Sequence, residues 1–551
     1  MKKGAFDRIM SVLQRLRGNP WVVLMVLCLG MFMALLDTTI VNIAIPRIID
    51  GLDASLDEIL WVINAYVLVF AALLITAGRL GDIFGQKRLF LGGMALFTVA
   101  SVFCGLSRDP TQLIVARALQ GVGGAMMSPQ PMAIILSIFP SERRGAAFAV
   151  PGILGGLAVA AGPTLGGFLV THFGWPSIFY VNLPVGVIAL ALSLLIVPDL
   201  RPGRRHRLDV SGVLLATAGL LGITFGLIEG ERYDWGRVFS FVTIPEIVGA
   251  GLILMVVFLV LQYLRQEKEP LLPFSIFEDR NYALMNGVAA ALGFAMLGLF
   301  LPLTIYYQSV LGLSALEAGL TIVVQPLVMM FVAPVAGSLA DRMGGKYILM
   351  GGLVLFAAGM GYIDWIAGAD SGRWSFLPGL IVAGVGLGFT WAPLFSVAMR
   401  DVQPRMAGVA TGVLETIQEL GGVLAGAVIG ALLQNRLAAA MHDQAVQRAH
   451  QLPPQFRDRF VDGFGEGGLE VGTSQAGGGA EATPGVPAQV AQQLQQLAEE
   501  VFENGFVDAM HPTLILPIAI VLLAAMSCLA IKRRKHEAQP EEQLEEAAAY
   551  R

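Results

Sequence analysis

Four ionisable residues sit inside apolar runs of this 551-residue chain: Asp37, Arg117, Glu415 and Glu419. A charge in such a run is costly, so it faces a bundle interior or a wet cavity and marks a functional site by default. Asp37 stands about nine residues from the end of its run, roughly 14 Å deep, and Arg117 about six from the matching end of its own, roughly 9 Å. These depths suit pairing across a cavity, directly or through water. Making and breaking such a pair moves a proton on and off the carboxyl. A static salt bridge is the other reading. Glu415 and Glu419 lie one turn apart and share a helix stripe with Gly422, Gly426 and Gly430. Glycines at that spacing let helices pack closely, so the stripe points into a bundle. Two carboxylates at i, i+4 in low dielectric do not ionise together readily. Either can carry a proton or face a cationic substrate; a carboxyl bonded to a neighbouring helix is the alternative.

Other polar groups are weaker signals. Asn42, Trp61, Asn64, Tyr306, Tyr307 and Gln325 lie within apolar runs and can line a pocket for amphipathic ligands. Interfacial anchoring or interhelical hydrogen bonding explains them as well. Gly152/Gly156 and Gly162/Gly166, with Pro163 and Gly167 beside the second pair, suit a hinge or seal between two halves of a helical bundle.

Several chemistries are excluded. No G-x-x-x-x-G-K-[ST] loop is present, so ATP is not expected to drive the protein. Gly384-Val-Gly386-Leu-Gly388 lies within an apolar run and reads as packing. The three cysteines are dispersed and the six histidines have no ligand spacing, so neither a disulfide framework nor a metal is expected. A net charge of −5 gives no reason to expect nucleic acid. No enzyme and no cofactor is read from the chain.

The elements that must hold these residues are membrane helices. The chain is 55% hydrophobic and 14% charged, against about 25% charged in soluble domains. A membrane helix needs roughly 20 apolar residues. Fourteen spans are expected: 21–46, 58–78, 88–107, 111–137, 145–171, 177–197, 210–230, 240–264, 281–310, 315–340, 346–367, 376–399, 405–433 and 511–531. Basic residues recur in alternate loops, for example Arg79/Lys87/Arg88, Arg201/Arg204/Arg205/Arg207 and Arg342/Lys346, while the intervening loops are acidic or neutral. By the positive-inside rule both termini are cytoplasmic. Residues 1–20 read as a basic amphipathic surface helix. Residues 434–510 form a long external loop with helix-prone ends around a Gly-rich centre. It is either a disordered linker or a lid or docking hairpin for a periplasmic adaptor protein.

The chain also repeats itself. Gly78-Arg-Leu-Gly81-Asp82-Ile-Phe-Gly85-Gln-Lys87-Arg88 matches Gly337-Ser-Leu-Ala-Asp341-Arg342-Met-Gly344-Gly-Lys346. The copies imply two homologous halves, as in many secondary transporters. The layout is then a six-helix bundle (21–200), a two-helix insertion (201–270), a second six-helix bundle (271–531) and a cytoplasmic tail (532–551). Glycine admits close approach of two helix ends, and the aspartate can face a helix N-terminus or a basic side chain across the seam.

These residues resemble the major facilitator superfamily, in its fourteen-span drug:proton antiporter branch. Leu36-Asp37-Thr38-Thr39-Ile40-Val41-Asn42-Ile43-Ala44-Ile45-Pro46 is similar to L-D-x-T-I-V-N-x-A-L-P. Arg117-Ala-Leu-Gln120-Gly121-Val-Gly123 is similar to R-x-x-Q-G-x-G. Gly162-Pro163-Thr164-Leu165-Gly166-Gly167 is like G-P-x-x-G-G, and 78–88 is like the loop signature. Near Glu415 and Gln418-Glu419 the chain departs from the branch, which has an Asn and an Arg-Gln pair there. The resemblance implies an all-α polytopic fold in an inner (plasma) membrane. It implies export of amphipathic, often cationic, drugs or metabolites in exchange for protons. A lipid flippase of the same fold and the inner-membrane unit of a multi-component efflux system remain alternatives.

Overall fold

A computed structural model describes residues 17–199, 208–230, 232–233, 235–239, 241–464 and 488–532. The expected surface helix, the 201–207 arginines and most of the Gly-rich centre lie outside the described residues. Among the described residues, thirteen helices are long and apolar enough to cross a bilayer by length and composition. The membrane helices are α1 (Pro20–Leu52), α2 (Leu56–Phe84), α3 (Gln86–Leu106), α4 (Pro110–Met127), α5 (Pro129–Ile138), α6 (Arg144–Phe173) and α7 (Asn182–Ile196). After them come α8 (Val210–Glu229), α9 (Ile244–Leu264), α10 (Arg280–Ile305), α11 (Ala315–Ile322), α12 (Val324–Met343), α13 (Gly345–Ile366) and α14 (Leu377–Ala398). The chain ends on α15 (Ala407–Ala449), α16 (Pro454–Asp462) and α17 (Ala488–Ser527).

Prolines explain the broken helices. The expected fourth span is two helices, α4 and α5, because Pro129 and Pro131 have no N–H to give and the ladder lapses at Ser128. Pro326 likewise cannot bond the Ile322 carbonyl, and α11 and α12 part at Val323. After α10 the chain winds into a π turn, Tyr306–Val310, closed by the Leu311 N–H on the Tyr306 carbonyl at 3.1 Å. A short antiparallel ribbon, Arg237–Phe239 with Val242–Thr243, joins α8 to α9.

The described residues of 434–510 are its helix-prone ends, and both are helical. At 43 and 40 residues, α15 and α17 are about 65 and 60 Å long, twice a bilayer core. Their ends project as a packed pair. Leu437, Met441 and Ala445 on α15 share a buried cluster with Leu497, Val501 and Phe506 on α17. Polar bonds flank it: Gln444 donates to Asp508 at 2.5 Å and Arg448 meets Glu500 at 3.3 Å.

Contacts between the repeats run along two seams. One is α2 against α15, the other α6 against α12 and α14. The α8–α9 pair lies to one side, and α8 touches both α2 and α15.

Candidate functional site

Asp37, on α1, is fully buried and so is every group that holds it. Arg117 Nη1 on α4 reaches its Oδ2 at 2.5 Å. Gln120 Nε2 donates to Oδ1 at 2.7 Å, and Asn182 Nδ2 on α7 donates to the same oxygen at 2.9 Å. Asn182 also bonds Ser101 Oγ on α3 at 3.0 Å. The guanidinium has further partners: the Val62 carbonyl on α2 at 3.2 Å, Gln120 Oε1 at 2.7 Å, and the Tyr66 ring at 4.5 Å. The pair is direct and no cavity separates it. Three helices thus meet at the carboxylate, and α2 and α3 join through its partners Arg117 and Asn182. A charge removed from water survives only with such full coordination.

Glu415 and Glu419, on α15, approach this site from the other side of a seam. The α15 helix that carries them packs against α5, just past the Ser128 break. Glu415 Oε2 is buried and has no partner among the described residues. Glu419 lies within electrostatic reach of Tyr66, the residue stacked under Arg117. The stripe glycines pack α15 on α10: an added Cβ at Gly422 would meet the Gly293 carbonyl at 3.6 Å, and at Gly426 the Leu297 side chain at 3.4 Å.

The repeated loops make matching joints. Asp82 accepts from the Gly408 and Val409 N–H groups at 2.9 and 2.8 Å. Asp341 accepts from the Gly145 and Ala146 N–H groups at 2.7 and 3.0 Å. Each aspartate therefore sits on a helix N-terminus of the other half, where orphan amides and the macrodipole favour an anion. Gly78 lies flush on Gly408, and Gly337 on Gly145, backbone to backbone. Gly85 and Gly344 both turn the chain at positive φ, 100° and 82°, where a side chain would be strained. Gly81 is pressed against the Gln130 side chain. The lysines do something the sequence reading missed. Lys87 Nζ binds the Leu194 and Val197 carbonyls (2.9 and 2.6 Å), and Lys346 Nζ those of Leu529 and Ile531 (2.6 and 3.1 Å). Each neutralises the C-terminal end of its half's last helix. Arg88 is exposed.

The glycines of α6 divide between two jobs. Gly156 packs on the Pro326 carbonyl and Gly152 on Met329, across a seam. Gly162 meets Thr39 and Gly166 meets Ile40, both on α1 within the same half. Nothing lies within 4 Å of a Cβ at Gly167, and the Pro163 side chain is outside the described residues. The second pair and Gly167 therefore do not seal the halves against each other.

The pocket candidates do not share one cavity. Asn42 is exposed on the same face of α1 as Thr38. Asn64 instead donates to Glu229 Oε1 on α8 at 3.0 Å, and Trp61 packs on Phe225 at 5.8 Å between ring centres. Arg232 closes this clamp, 2.9 Å from Glu229 and 2.9 Å from Asp57. Trp61 and Asn64 thus hold the inserted helices, because Glu229 is buried and needs donors. Tyr306 is buried with its hydroxyl on the Gly368 carbonyl at 2.6 Å. Tyr307 Oη and both amide atoms of Gln325 are buried without partners among the described residues.

Comparisons with known proteins agree with this architecture. The chain is 33% identical over 539 residues to the tetracenomycin C resistance and export protein of Streptomyces glaucescens, covering 96% of this chain and 94% of that one. It is 32% identical over 429 residues to multidrug resistance protein Stp of Mycobacterium tuberculosis, covering 78% of each. The fold is similar to that of the human organic anion transporter MFSD10 (TM-score 0.56, 13% identity, 91% of this chain and 98% of that one). It is also similar to the proton:xylose symporter XylE (TM-score 0.55, 13% identity, 92% and 94%). Residues 27–426 match the family model of that description, and with a polytopic helical fold of two joined halves the chain belongs to the Major Facilitator Superfamily of membrane transporters.

Proposed function

We propose that this transporter exports amphipathic organic molecules, lipophilic cations among them, in exchange for protons by alternating access. The buried Asp37–Arg117 pair carries the reading. A proton bound at Asp37 cancels the charge that Arg117 neutralises. The pair's attraction lapses, while Gln120 and Asn182 can still bond the neutral carboxyl. Because α1, α4 and α7 meet there and α2 and α3 join through Arg117 and Asn182, one proton is felt on five helices at once. Glu415 and Glu419 on α15 do not ionise together readily, and whichever of them is ionised would attract a cation. The relatives' names, an antibiotic exporter and a multidrug resistance protein, support this cargo class.

The Asp82 and Asp341 joints serve as gates. Both lie at the end that the basic loops mark as cytoplasmic, and we read this conformation as closed at that end. Exposed Thr38 and Asn42 on α1 support a wet cavity open to the other side. We place the protein in the plasma membrane with both termini inside.

The test is transport in proteoliposomes with tetraphenylphosphonium and an imposed pH gradient. Wild type should move the cation uphill, stop when the gradient collapses, and lose that coupling in Asp37→Asn or Glu415→Gln. Uphill movement that persists in both variants would remove these carboxylates from coupling. An absence of proton-linked movement in wild type would remove the antiport reading.

A further inference from the structure

The second half holds an arrangement that neither the ion pair nor the gates use. The π turn Tyr306–Val310 packs against α11, where the helix of that span starts before breaking at Val323. Phe376 joins the two tyrosines, 5.5 Å from the Tyr306 ring and 5.3 Å from that of Tyr307. Three residues before it, Arg373 binds Thr321 Oγ1 at 2.8 Å and the Glu317 carbonyl at 3.0 Å, both on α11. Gln325 follows Thr321 by four residues, just past the break. Both breaks in helix regularity, a π turn and a parted helix, therefore fall in one neighbourhood. Such features recur at functional sites and at transporter binding sites.

Three polar atoms in this neighbourhood lack partners among the described residues: Tyr307 Oη, Gln325 Oε1 and Gln325 Nε2. Tyr307 and Gln325 are both 0% exposed. The three atoms are closed to water in this conformation. Buried orphan groups of this kind are costly, and a site retains them where another state provides a partner. Gly384 lies against the Gln325 backbone with no side chain between, so α14 and α12 are in close contact there. Parting them exposes the amide. The groups that would be uncovered are one hydroxyl, one amide donor and one amide acceptor, beside aromatic faces. Tyr306 is already bonded, and the Arg373 charge is met by the Glu317 carboxylate at 3.6 Å, so the orphan groups themselves are neutral.

We propose that the π turn and the parted α11/α12 helix form a latent subsite, closed here, that binds a neutral carbonyl- or hydroxyl-bearing aromatic ring of the cargo. This rests on the export reading above and adds a cargo class to it. The ring stacks among Tyr306, Tyr307 and Phe376, while Gln325 and Tyr307 take its oxygens. Cargo without such oxygens gains nothing from the subsite. The site discriminates because polar groups left unpaired against the wrong ligand cost binding.

The experiment compares two ligands on the full chain in lipid nanodiscs: 1,8-dihydroxyanthraquinone, which bears the oxygens, and tetraphenylphosphonium, which has none. Dissociation constants are measured for wild type, Tyr307→Phe and Gln325→Leu. Each variant should weaken the quinone roughly fivefold relative to the cation, the worth of one neutral hydrogen bond. Both variants should unfold at or above the wild-type temperature, because each removes an orphan group from the closed state. Equal changes for the two ligands, or none, would overturn the subsite while leaving cation export standing. So would wild type that binds the cation and not the quinone. A wild type that binds neither overturns the subsite, and transport of the cation in proteoliposomes then decides whether export itself fails.

Discussion

At the scale of single residues, the Asp37 site is held by more than its charge partner. Removing one partner of a buried ion pair costs about 3–5 kcal/mol, because the other charge is stranded. Removing one neutral donor costs about 1–3 kcal/mol. Asn182→Ala should therefore fold, keep the Arg117 contact and lose one bond to Oδ1. Its pH midpoint for proton-driven uptake should move, since Asn182 touches the oxygen that would titrate. A midpoint unchanged from wild type, with lowered stability alone, makes Asn182 a purely structural residue. Asp37 and Arg117 were legible in the sequence because charges inside apolar runs are rare. Asn182 and Ser101 were not. Neutral polar residues are common in membrane helices, and Asn182 meets Asp37 across 145 positions. The signal that could have found them is a satisfaction count: a buried carboxylate needs donors on both oxygens, and Arg117 alone supplies one.

At the scale of elements, apolar runs located the membrane helices, and prolines marked where two of them part. The expected span ends at 433 because polarity rises there, and the helix-prone stretch expected beyond it is continuous with the span: α15 runs on to Ala449 on a stripe of Leu437, Met441, Ala445 and Ala449. That four-residue spacing is an ordinary amphipathic helix in water. For Trp61 and Asn64, which share a run with Tyr66, the structure shows the interhelical alternative and not a cavity face. What sends them to α8 is Glu229, an acidic residue at the end of a helix far away in sequence. A measurement separates the two roles. Asn64→Ala should leave the KM for tetraphenylphosphonium at the wild-type value and lower stability by about 1 kcal/mol. A several-fold change in KM with stability intact would return Asn64 to the cavity. The inner ends of α8 and α9 are tied as well. Burial alone would raise the Asp209 carboxyl. Donors from Gln262, the Gly212 amide and Ser211, with the nearby Arg265 guanidinium, outweigh burial and hold it below the ordinary carboxylate range. Its stabilising contribution is therefore present at neutral pH and lost as pH falls through that lowered value. Asp209→Asn should unfold with a shallower loss of stability in acid than wild type does; parallel acid unfolding curves would show that this carboxyl makes no net contribution.

At the scale of the whole molecule, the two halves meet through joints of the same construction: an aspartate on the other half's helix N-terminus, beside a glycine pair with no side chain between. The repeated motif announced both joints, but which helix each aspartate caps depended on the packing of the halves. A charge-assisted hydrogen bond contributes about 1.5–3 kcal/mol. Reversing a population from 1:99 to 99:1 takes about 5.5 kcal/mol. Each joint makes two such bonds, about 3–6 kcal/mol, so one joint is at the edge of the required size and two together exceed it. The joints share no residue, so their contributions should add. Asp82→Asn and Asp341→Asn should each favour opening of this end by about thirtyfold, and the double variant by the product. Spin-label distances across the Gly78–Gly408 and Gly337–Gly145 ends read this directly. Either single variant should stay mostly closed, and the double should be mostly open. If one single variant opens the end as far as the double does, only that joint holds it, and the symmetric construction is not matched by symmetric energetics.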